Sequence, residues 1–241
     1  FILYPVAEIE VLARKEVFIF CIYIIFIQIN SINLMNIFKL IFLPVSILIW
    51  EPVIFYLLFF IAIDIIKNNF RKFEKSFLLN LIYYLPAILL AFIVALNPMS
   101  SQEHDLMVSF LKQNYNETCY MSCALLKSKS SIYSQFQGNL NSYSFEVFLR
   151  YFLIILIGFG PLLLLLKNSS LINKNLFFFS NFDNLLKPIL IIYFPVTFLF
   201  AMGVDWGRWV NISYVFGIIL FIYLYQKKQI KIREQIYIGK F

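Results

Sequence analysis

Residues 147–166 read VFLRYFLIILIGFGPLLLLL and contain a single charged side chain, Arg150. An α-helix needs about 20 residues to cross the hydrocarbon core of a bilayer, which is the length of this run. Runs of similar character recur along the chain, near 17–34, 41–66, 77–97, 188–204 and 210–225. We therefore predict an all-α fold, a polytopic transmembrane helical bundle of about six spans.

The composition supports a membrane protein. Hydrophobic residues make up 61% of the 241 residues and charged residues only 14%, whereas a soluble domain is about 45–50% apolar and about 25% charged. No Walker loop or dinucleotide-binding fingerprint is present, so no cofactor is expected. We interpret residues 1–241 as a single integral membrane domain, and a chain that begins at Phe1 rather than Met is consistent with the C-terminal part of a longer protein.

The distribution of Lys and Arg predicts the orientation of the bundle. If six spans alternate, 14 of the 20 Lys and Arg residues fall on one side and 6 on the other. Loops rich in Lys and Arg stay in the cytoplasm, so both termini are predicted to be cytoplasmic. The formal charge of +7 is thus interpreted as a topology signal, and no nucleic-acid partner is expected.

The second predicted span, 41–66, contains Pro44, Glu51 and Pro52. Proline interrupts the hydrogen bonding of a helix interior. Two readings remain open, one kinked helix or a re-entrant piece followed by a short span.

The long segment 98–146 faces outward in this topology. Ser100 and Glu103 have the spacing of a capping box, followed by apolar residues at helical intervals, so we predict about three turns of amphipathic helix. The Ser-, Asn- and Gln-rich part of the loop, 128–144, is predicted to be irregular.

The outward loop also holds Cys119 and Cys123. In an oxidising compartment they are candidates for a local disulfide, with free thiols as the alternative. No metal site is predicted, because His104 is the only histidine in the chain. Cys21, inside the first span, is expected to pack as a small hydrophobic residue.

His104 lies between Glu103 and Asp105. Acidic residues in a first helical turn compensate the helix dipole, which gives Glu103 and Asp105 a structural role. His104 is a candidate catalytic residue because imidazole changes charge near neutral pH; the alternative is a solvated side chain without a function.

Residues 203–211, GVDWGRWVN, form a short polar connection between the last two predicted spans. A purely structural turn explains the glycines, with Asp205 as a helix cap and Trp206 and Trp209 as interfacial anchors. Arg208 has two further options, an ion pair with Asp205 or a bound phosphate, since a guanidinium matches phosphate bidentately.

Other ionisable residues lie at span ends. Glu51 and Arg150 fall on the same outward face as Asp205 and Arg208. Asp64 falls near the cytoplasmic end and is expected to pair with Lys67, three residues later on the same helix.

The DWGRW element, Asp205 to Trp209, together with the multi-pass layout and the long outward loop, resembles bacterial envelope polysaccharide polymerases of the O-antigen polymerase type. The resemblance implies a bacterial inner (cytoplasmic) membrane and transfer of a glycan from a polyprenyl-diphosphate carrier at the outer face of that membrane. It implies that Arg208 and Arg150 bind the diphosphate and that Asp205 orients or deprotonates an acceptor hydroxyl. Members of this class normally have more than six spans.

Together these features predict a protein of envelope glycan assembly, a membrane glycosyltransferase or polymerase. Its catalytic candidates are Asp205 and His104, and its substrate-binding candidates are Arg208, Arg150, Glu51, Trp206 and Trp209. A transporter or permease subunit is the alternative, for which the GFGP sequence at 158–161 and the prolines of 41–66 are the weak pointers. A non-catalytic membrane scaffold is the second alternative.

Overall fold

The computed structural model describes residues 15–70, 74–97, 99–119, 123, 132–172, 179, 182–203 and 206–233, and within them the chain is mostly helical. Among these residues three helices are long and apolar enough to cross a membrane: Ile32–Ile49, Phe145–Lys167 and Trp206–Gln226. A fourth candidate is the pair Lys75–Ile82 and Leu85–Leu96, which is bent by 42°. The structure supports a helical integral membrane protein, although the six predicted spans do not appear as six long helices.

The elements are numbered here in chain order. The first half contains α1 (Lys15–Gln28), α2 (Ile32–Ile37), a π turn (Phe38–Phe42), α3 (Leu43–Ile49), a 3₁₀ helix (Glu51–Tyr56), α4 (Leu57–Lys67), α5 (Lys75–Ile82) and α6 (Leu85–Leu96). The second half contains α7 (Ser101–Tyr115), α8 (Ile132–Ser142), α9 (Phe145–Lys167), β1 (Ser169–Leu171), α10 (Leu186–Tyr193), a 3₁₀ turn (Phe194–Val196), α11 (Thr197–Met202), α12 (Trp206–Gln226) and β2 (Ile230–Ile232).

The chain reverses direction at Trp50, inside the predicted span 41–66. Trp50 has an extended backbone, with φ −155° and ψ 101°, and Pro52 lies at the start of the 3₁₀ helix that follows. Lys39, before this break, contacts Asp64, after it. Of the two readings left open for 41–66, the single kinked helix is therefore wrong, because the segment belongs to a helical hairpin that extends from Ile32 to Lys67 and turns at Trp50.

The first predicted span, 17–34, also needs correction. The helix α1 ends at Gln28, and a new helix begins at Ile32 after Ser31, whose backbone is extended. The hydrophobic run is continuous across this break, so hydropathy alone does not reveal it.

The helices α1 and α12 are parallel. Glu16, in the first turn of α1, contacts Arg208, in the first turn of α12. Further along both helices the ring of Tyr23 stacks on that of Phe216, with centroids 4.6 Å apart. We call the end of the bundle where these two helices begin the Arg208 end; Trp50 also lies there, since it stacks on Trp209.

The opposite end is called the Lys67 end. The Lys67 ammonium donates to the backbone carbonyls of Phe26, at 2.9 Å, and Ile29, so α4 ends beside the C-terminal end of α1. A small antiparallel ribbon lies at the same end, where β1 follows α9 and β2 follows α12. Its register pairs Ser169 with Ile232 and Leu171 with Ile230, so the fold is helical with one two-stranded addition.

An aromatic core holds the hairpin against α12. Phe216 is fully buried and packs against the rings of Tyr23, Tyr56 and Phe59. Gly217 allows α10 to approach α12 closely, because a Cβ atom at this position would lie 1.9 Å from the Tyr193 hydroxyl. Close packing of this kind contributes to stability through many small dispersion contacts.

The loop at 98–146 has more helix than the sequence suggests. The predicted capping box is present: the Glu103 N–H donates to Ser100 Oγ, and the Ser100 N–H donates to Glu103 Oε2 at 2.8 Å. The prediction of irregular chain over 128–144 is wrong for Ile132–Ser142, which is α8. This helix packs on α11, and the neighbouring Tyr143 hydroxyl donates to the Phe200 carbonyl at 2.6 Å. Tertiary contacts therefore stabilise a helix that local propensity does not favour.

Candidate functional site

Arg208 forms an ion pair with Glu16. The guanidinium Nε lies 2.7 Å from Glu16 Oε1, and the exposed fractions of the two side chains are 34% and 11%. Asp205, the partner predicted from sequence, lies outside the described residues. The Arg208 charge is thus balanced by Glu16 of α1, which lies 192 residues earlier in the chain. The spacing of residues within GVDWGRWVN does not reveal this partner.

Trp206 is buried at the Arg208 end. Its indole N–H donates to the Phe200 carbonyl at 2.7 Å, and its ring packs against Tyr143 and Tyr151 with centroids 5.0 and 5.1 Å away. Its exposed fraction is 8%. Trp206 therefore fixes the start of α12 against α9 and α11 and does not present its ring to a ligand.

Trp209 is also buried, and it stacks on Trp50 with ring centroids 5.9 Å apart. A Cβ atom on Gly203 would lie 3.2 Å from the Trp209 indole nitrogen, so the glycine permits the close turn before α12. The two indoles of the DWGRW element thus support the frame around Arg208, and their role in substrate contact stays a prediction.

Glu51 and Arg150 are exposed at this end of the bundle. Glu51 directly follows Trp50, which stacks on Trp209, and Arg150 directly precedes Tyr151, which packs on Trp206. The structure therefore gathers the predicted Glu51, Arg150 and Arg208 at one end of the bundle, around buried aromatic side chains.

His104, the second catalytic candidate, is 4% exposed, so the alternative of a solvated side chain is wrong. Its Nε2 atom lies 3.0 Å from the Cys123 carbonyl oxygen and 3.6 Å from Cys119 Sγ. A disulfide joins Cys119 and Cys123. Glu103, by contrast, is engaged in the capping box, and the hydrogen bonds from the Ser100 backbone and hydroxyl lower the pKa of its carboxyl group.

A second cluster of polar residues lies inside the bundle. Lys39 and Asp64 are 1% and 0% exposed, and the Lys39 ammonium lies 2.9 Å from Asp64 Oδ2. The same carboxylate oxygen accepts hydrogen bonds from Asn80 Nδ2 at 2.9 Å and from the Tyr84 hydroxyl at 2.7 Å. Lys39 also donates to Asn80 Oδ1. This Lys39–Asp64 cluster joins both arms of the hairpin to the bend between α5 and α6.

The backbone around this cluster is irregular. Lys39 lies in the π turn, and Pro44, which follows it, has no N–H to donate to the preceding helical turn. Tyr84 lies at the 42° bend. Among the described residues no hydrogen-bond donor reaches the other carboxylate oxygen, Asp64 Oδ1, although it is buried. Single π turns of this kind are frequent at functional sites.

Sequence reasoning missed the Lys39–Asp64 cluster. Asp64 is predicted to pair with Lys67 on its own helix, whereas the structure directs Lys67 to backbone carbonyls of α1. One signal was available. An acid and a base that each lie in a separate apolar run are costly in a bilayer unless they pair with each other.

The fold and these two polar clusters define a helical integral membrane protein with ionisable groups both at one end and in its interior. No family model, no curated protein and no solved structure matches the chain.

Proposed function

We propose that this protein acts in envelope glycan assembly, with a polyprenyl-diphosphate-linked glycan as substrate and the Arg208 end as the site. The observation that carries the proposal is the gathering of Arg208, Arg150 and Glu51 at one end of the bundle. With Glu16, which contacts Arg208, this makes two arginines and two acids at the edge of a membrane domain, a set that suits a ligand with a charged head group and a lipid tail.

The orientation that this proposal needs places the Lys67 end in the cytoplasm. Most of the basic residues of the described helix ends and turns lie at or beside this end: Lys67, Lys75, Lys167, Lys187, Lys227, Lys228 and Lys231. The positive-inside bias therefore favours a cytoplasmic Lys67 end and an outward Arg208 end. In this orientation α1 begins on the outer side, and Lys15 and Lys227 lie on opposite sides of the membrane, in contrast to the expectation from six alternating spans.

In the proposed mechanism Arg208 binds the carrier diphosphate. The guanidinium has five N–H donors in a fixed plane, and Glu16 orients that plane through a contact at Nε. Arg150, exposed on α9, supplies a second positive charge for the diphosphate. Electrostatic stabilisation of a diphosphate leaving group is the chemistry that such a pair of arginines provides.

The test is glycan synthesis in cells that depend on this protein. Arg208→Ala and Arg150→Ala are expected to reduce polymer amount or chain length, measured by gel electrophoresis of the extracted polysaccharide, and Arg208→Lys to restore it only in part because a single ammonium lacks the guanidinium fork. Lys231→Ala, an exposed cation at the opposite end, is the matched control. Normal polymer from the Arg208→Ala and Arg150→Ala cells at equal protein level would contradict the proposal.

A second candidate function, proton-coupled transport, is favoured by the Lys39–Asp64 cluster. Buried acid–base pairs beside irregular helices are a feature of proton relays in transporters. Proton entry into vesicles loaded with a pH-sensitive dye, driven by a potassium diffusion potential, measures this activity. Asp64→Asn is expected to abolish the flux and Asp105→Asn, in the exposed loop helix, to leave it unchanged. Flux no greater than that of protein-free vesicles would exclude this function.

A further inference from the structure

The side chains of His104, Cys119 and Cys123 form a compact group of metal-ligating types. One ligand atom from each lies within 4.8 Å of the other two. Cys119 and Cys123 have the spacing C-x₃-C, which falls within the range common at zinc sites. In the described structure the two cysteines are joined as a disulfide, so their sulfur atoms are not available to a metal.

The imidazole of His104 is buried with a hydrogen bond at only one of its two nitrogens, since Nε2 donates to the Cys123 carbonyl at 3.0 Å. It is 4% exposed, and its Nδ1 atom has no hydrogen-bond partner among the described residues. A buried polar atom without a partner costs about 1–3 kcal/mol, so we expect this ring to have a role in the folded protein in addition to packing.

The ring is oriented as a metal-ligating histidine would be. Nε2 faces the cysteines and lies 3.0 Å from the Cys123 carbonyl oxygen and 3.6 Å from Cys119 Sγ, while Nδ1 faces the Asp105 carboxylate, with Nδ1 and Oδ1 separated by 3.6 Å. Metal-ligating histidines commonly direct their second nitrogen toward a carboxylate, which fixes the tautomer and increases the basicity of the ligating nitrogen.

The distance between Nε2 and Cys119 Sγ suits a tetrahedral zinc ion. With Zn–S near 2.3 Å and Zn–N near 2.05 Å, the edge of such a tetrahedron between sulfur and nitrogen is about 3.6 Å, and the observed separation is 3.6 Å. The edge between two sulfurs is about 3.8 Å, so the two cysteine sulfurs have to separate for the ion to bind.

We propose that the cysteine pair and His104 form a redox-gated site for Zn²⁺. A dithiol reductant transfers two electrons and two protons to the Cys119–Cys123 disulfide; the S–S bond breaks, two thiols form, and the dithiol becomes a disulfide. Zn²⁺ then binds both sulfurs and His104 Nε2. The two thiol protons are released to solvent, and the imidazole changes tautomer, so that its proton leaves Nε2 and is carried by Nδ1, which faces Asp105. The fourth position is taken by water, as at zinc sites with three protein ligands.

The oxidation state of the pair therefore decides whether the loop binds metal. In the oxidised state the sulfur atoms are bonded to each other, and the remaining single imidazole is a weak ligand. In the reduced state two soft thiolates and one imidazole converge, a set that favours Zn²⁺ over Ca²⁺ or Mg²⁺. The segment after α7 would be held by the disulfide in one state and by the metal in the other.

The test uses the full chain in detergent or nanodiscs, in a Cys21→Ser background so that only the loop cysteines titrate. The protein is reduced with dithiothreitol, the reductant is removed under inert gas, and Co²⁺ is added as the spectroscopic probe. We expect thiolate-to-cobalt charge-transfer absorption and the d–d bands of tetrahedral cobalt, both lost on addition of one equivalent of Zn²⁺. The oxidised protein is expected to show neither.

Three variants identify the ligands. Cys119→Ser is expected to abolish the charge-transfer band of the site, and His104→Ala to weaken Co²⁺ affinity by at least about 100-fold. Asp105→Asn is expected to weaken it by about 10-fold, since outer carboxylates of metal-bound histidines have effects of this size. Lys112→Ala, exposed on the same helix, is the matched control.

Two results would overturn the proposal. One is a reduced protein that binds Co²⁺ no more tightly than the oxidised one. The other is a His104→Ala variant, with its helix and disulfide intact, that binds Co²⁺ as tightly as the parent after reduction.

Discussion

Glu16 and Arg208 bind each other across 2.7 Å from the first turns of two parallel helices. Parallel neighbours in a membrane bundle are separated by an odd number of connecting passes, whereas neighbours that alternate directly are antiparallel. This ion pair therefore bears on the topology of the whole chain as well as on the site at Arg208.

The first prediction is topological. We expect a cysteine introduced at Lys15 and one introduced at Lys227, each in a background with Cys21→Ser, to react with an impermeant thiol reagent from opposite sides of the membrane. In intact cells position 15 is labelled, and position 227 is labelled only after the cells are broken open. Labelling of both from the same side would contradict the parallel arrangement of α1 and α12.

The second prediction concerns the coupling between Glu16 and Arg208. Because the arginine is one-third exposed, solvent screening limits the pair to about 1 kcal/mol. A double-mutant cycle with Glu16→Gln and Arg208→Ala, measured by thermal unfolding in detergent, is expected to show non-additivity of that size. Additive single changes would mean that the two charges do not stabilise each other.

The third prediction concerns the Lys39–Asp64 cluster. Removal of one partner leaves a buried charge uncompensated and costs about 3–5 kcal/mol, so Lys39→Met and Asp64→Asn are each expected to lower the stability strongly. The double variant is expected to lose less stability than the sum of the losses of the two single variants. Unfolding in a titration with denaturing detergent measures this, and Lys231→Ala is the exposed control. Small, additive losses would show that the pair is solvated.

The fourth prediction concerns Gly217. A methyl group there meets the Tyr193 hydroxyl at 1.9 Å, and overpacking costs about 1–3 kcal/mol. Gly217→Ala is expected to destabilise the protein, and the double change with Tyr193→Phe, which removes the hydroxyl, to recover part of the loss. Gly160→Ala is the matched control, since no atom lies within 4 Å of its added carbon. Equal effects of the two alanines would argue against the close approach.

The fifth prediction concerns the cap of α7. Ser100→Ala removes the side chain that caps the helix and is expected to cost about 1 kcal/mol of local stability, seen as faster amide exchange in residues 101–105. The lowered pKa of Glu103 sets the direction in which the stability of α7 changes with pH. The carboxylate contributes its stabilisation above its unfolded pKa, and the contribution is lost as pH falls through the lower folded value. Protection factors in α7, which correct for the intrinsic pH dependence of amide exchange, that do not change with acidification would contradict this.

Local features of this chain are predictable from sequence. The capping box at Ser100 and Glu103 follows from side-chain chemistry within three residues, and the apolar helix 145–167 follows from hydropathy over one membrane thickness. Both depend on residues that are close together in the sequence, so they can be recognised in a single sequence without knowledge of the fold.

Long-range features are not predictable in the same way. The break at Trp50 lies inside an apolar run, so hydropathy gives no warning of it. The partners of Arg208, Asp64 and Lys67 lie on other helices, and spacing rules consider only residues three or four positions away. For the candidate site, sequence reasoning finds the charged residues at the Arg208 end and misses which charges are paired.

The ribbon of β1 and β2 has a consequence for biosynthesis. It joins the turn after α9 to the segment after α12, about 60 residues later in the chain. The strand Ser169–Leu171 is therefore synthesised first, and it has no strand to pair with until Ile230–Ile232 is translated. The helix α12 must be inserted before this seam closes, so ribbon formation follows the insertion of α12, and a chain truncated before residue 230 would leave the seam open.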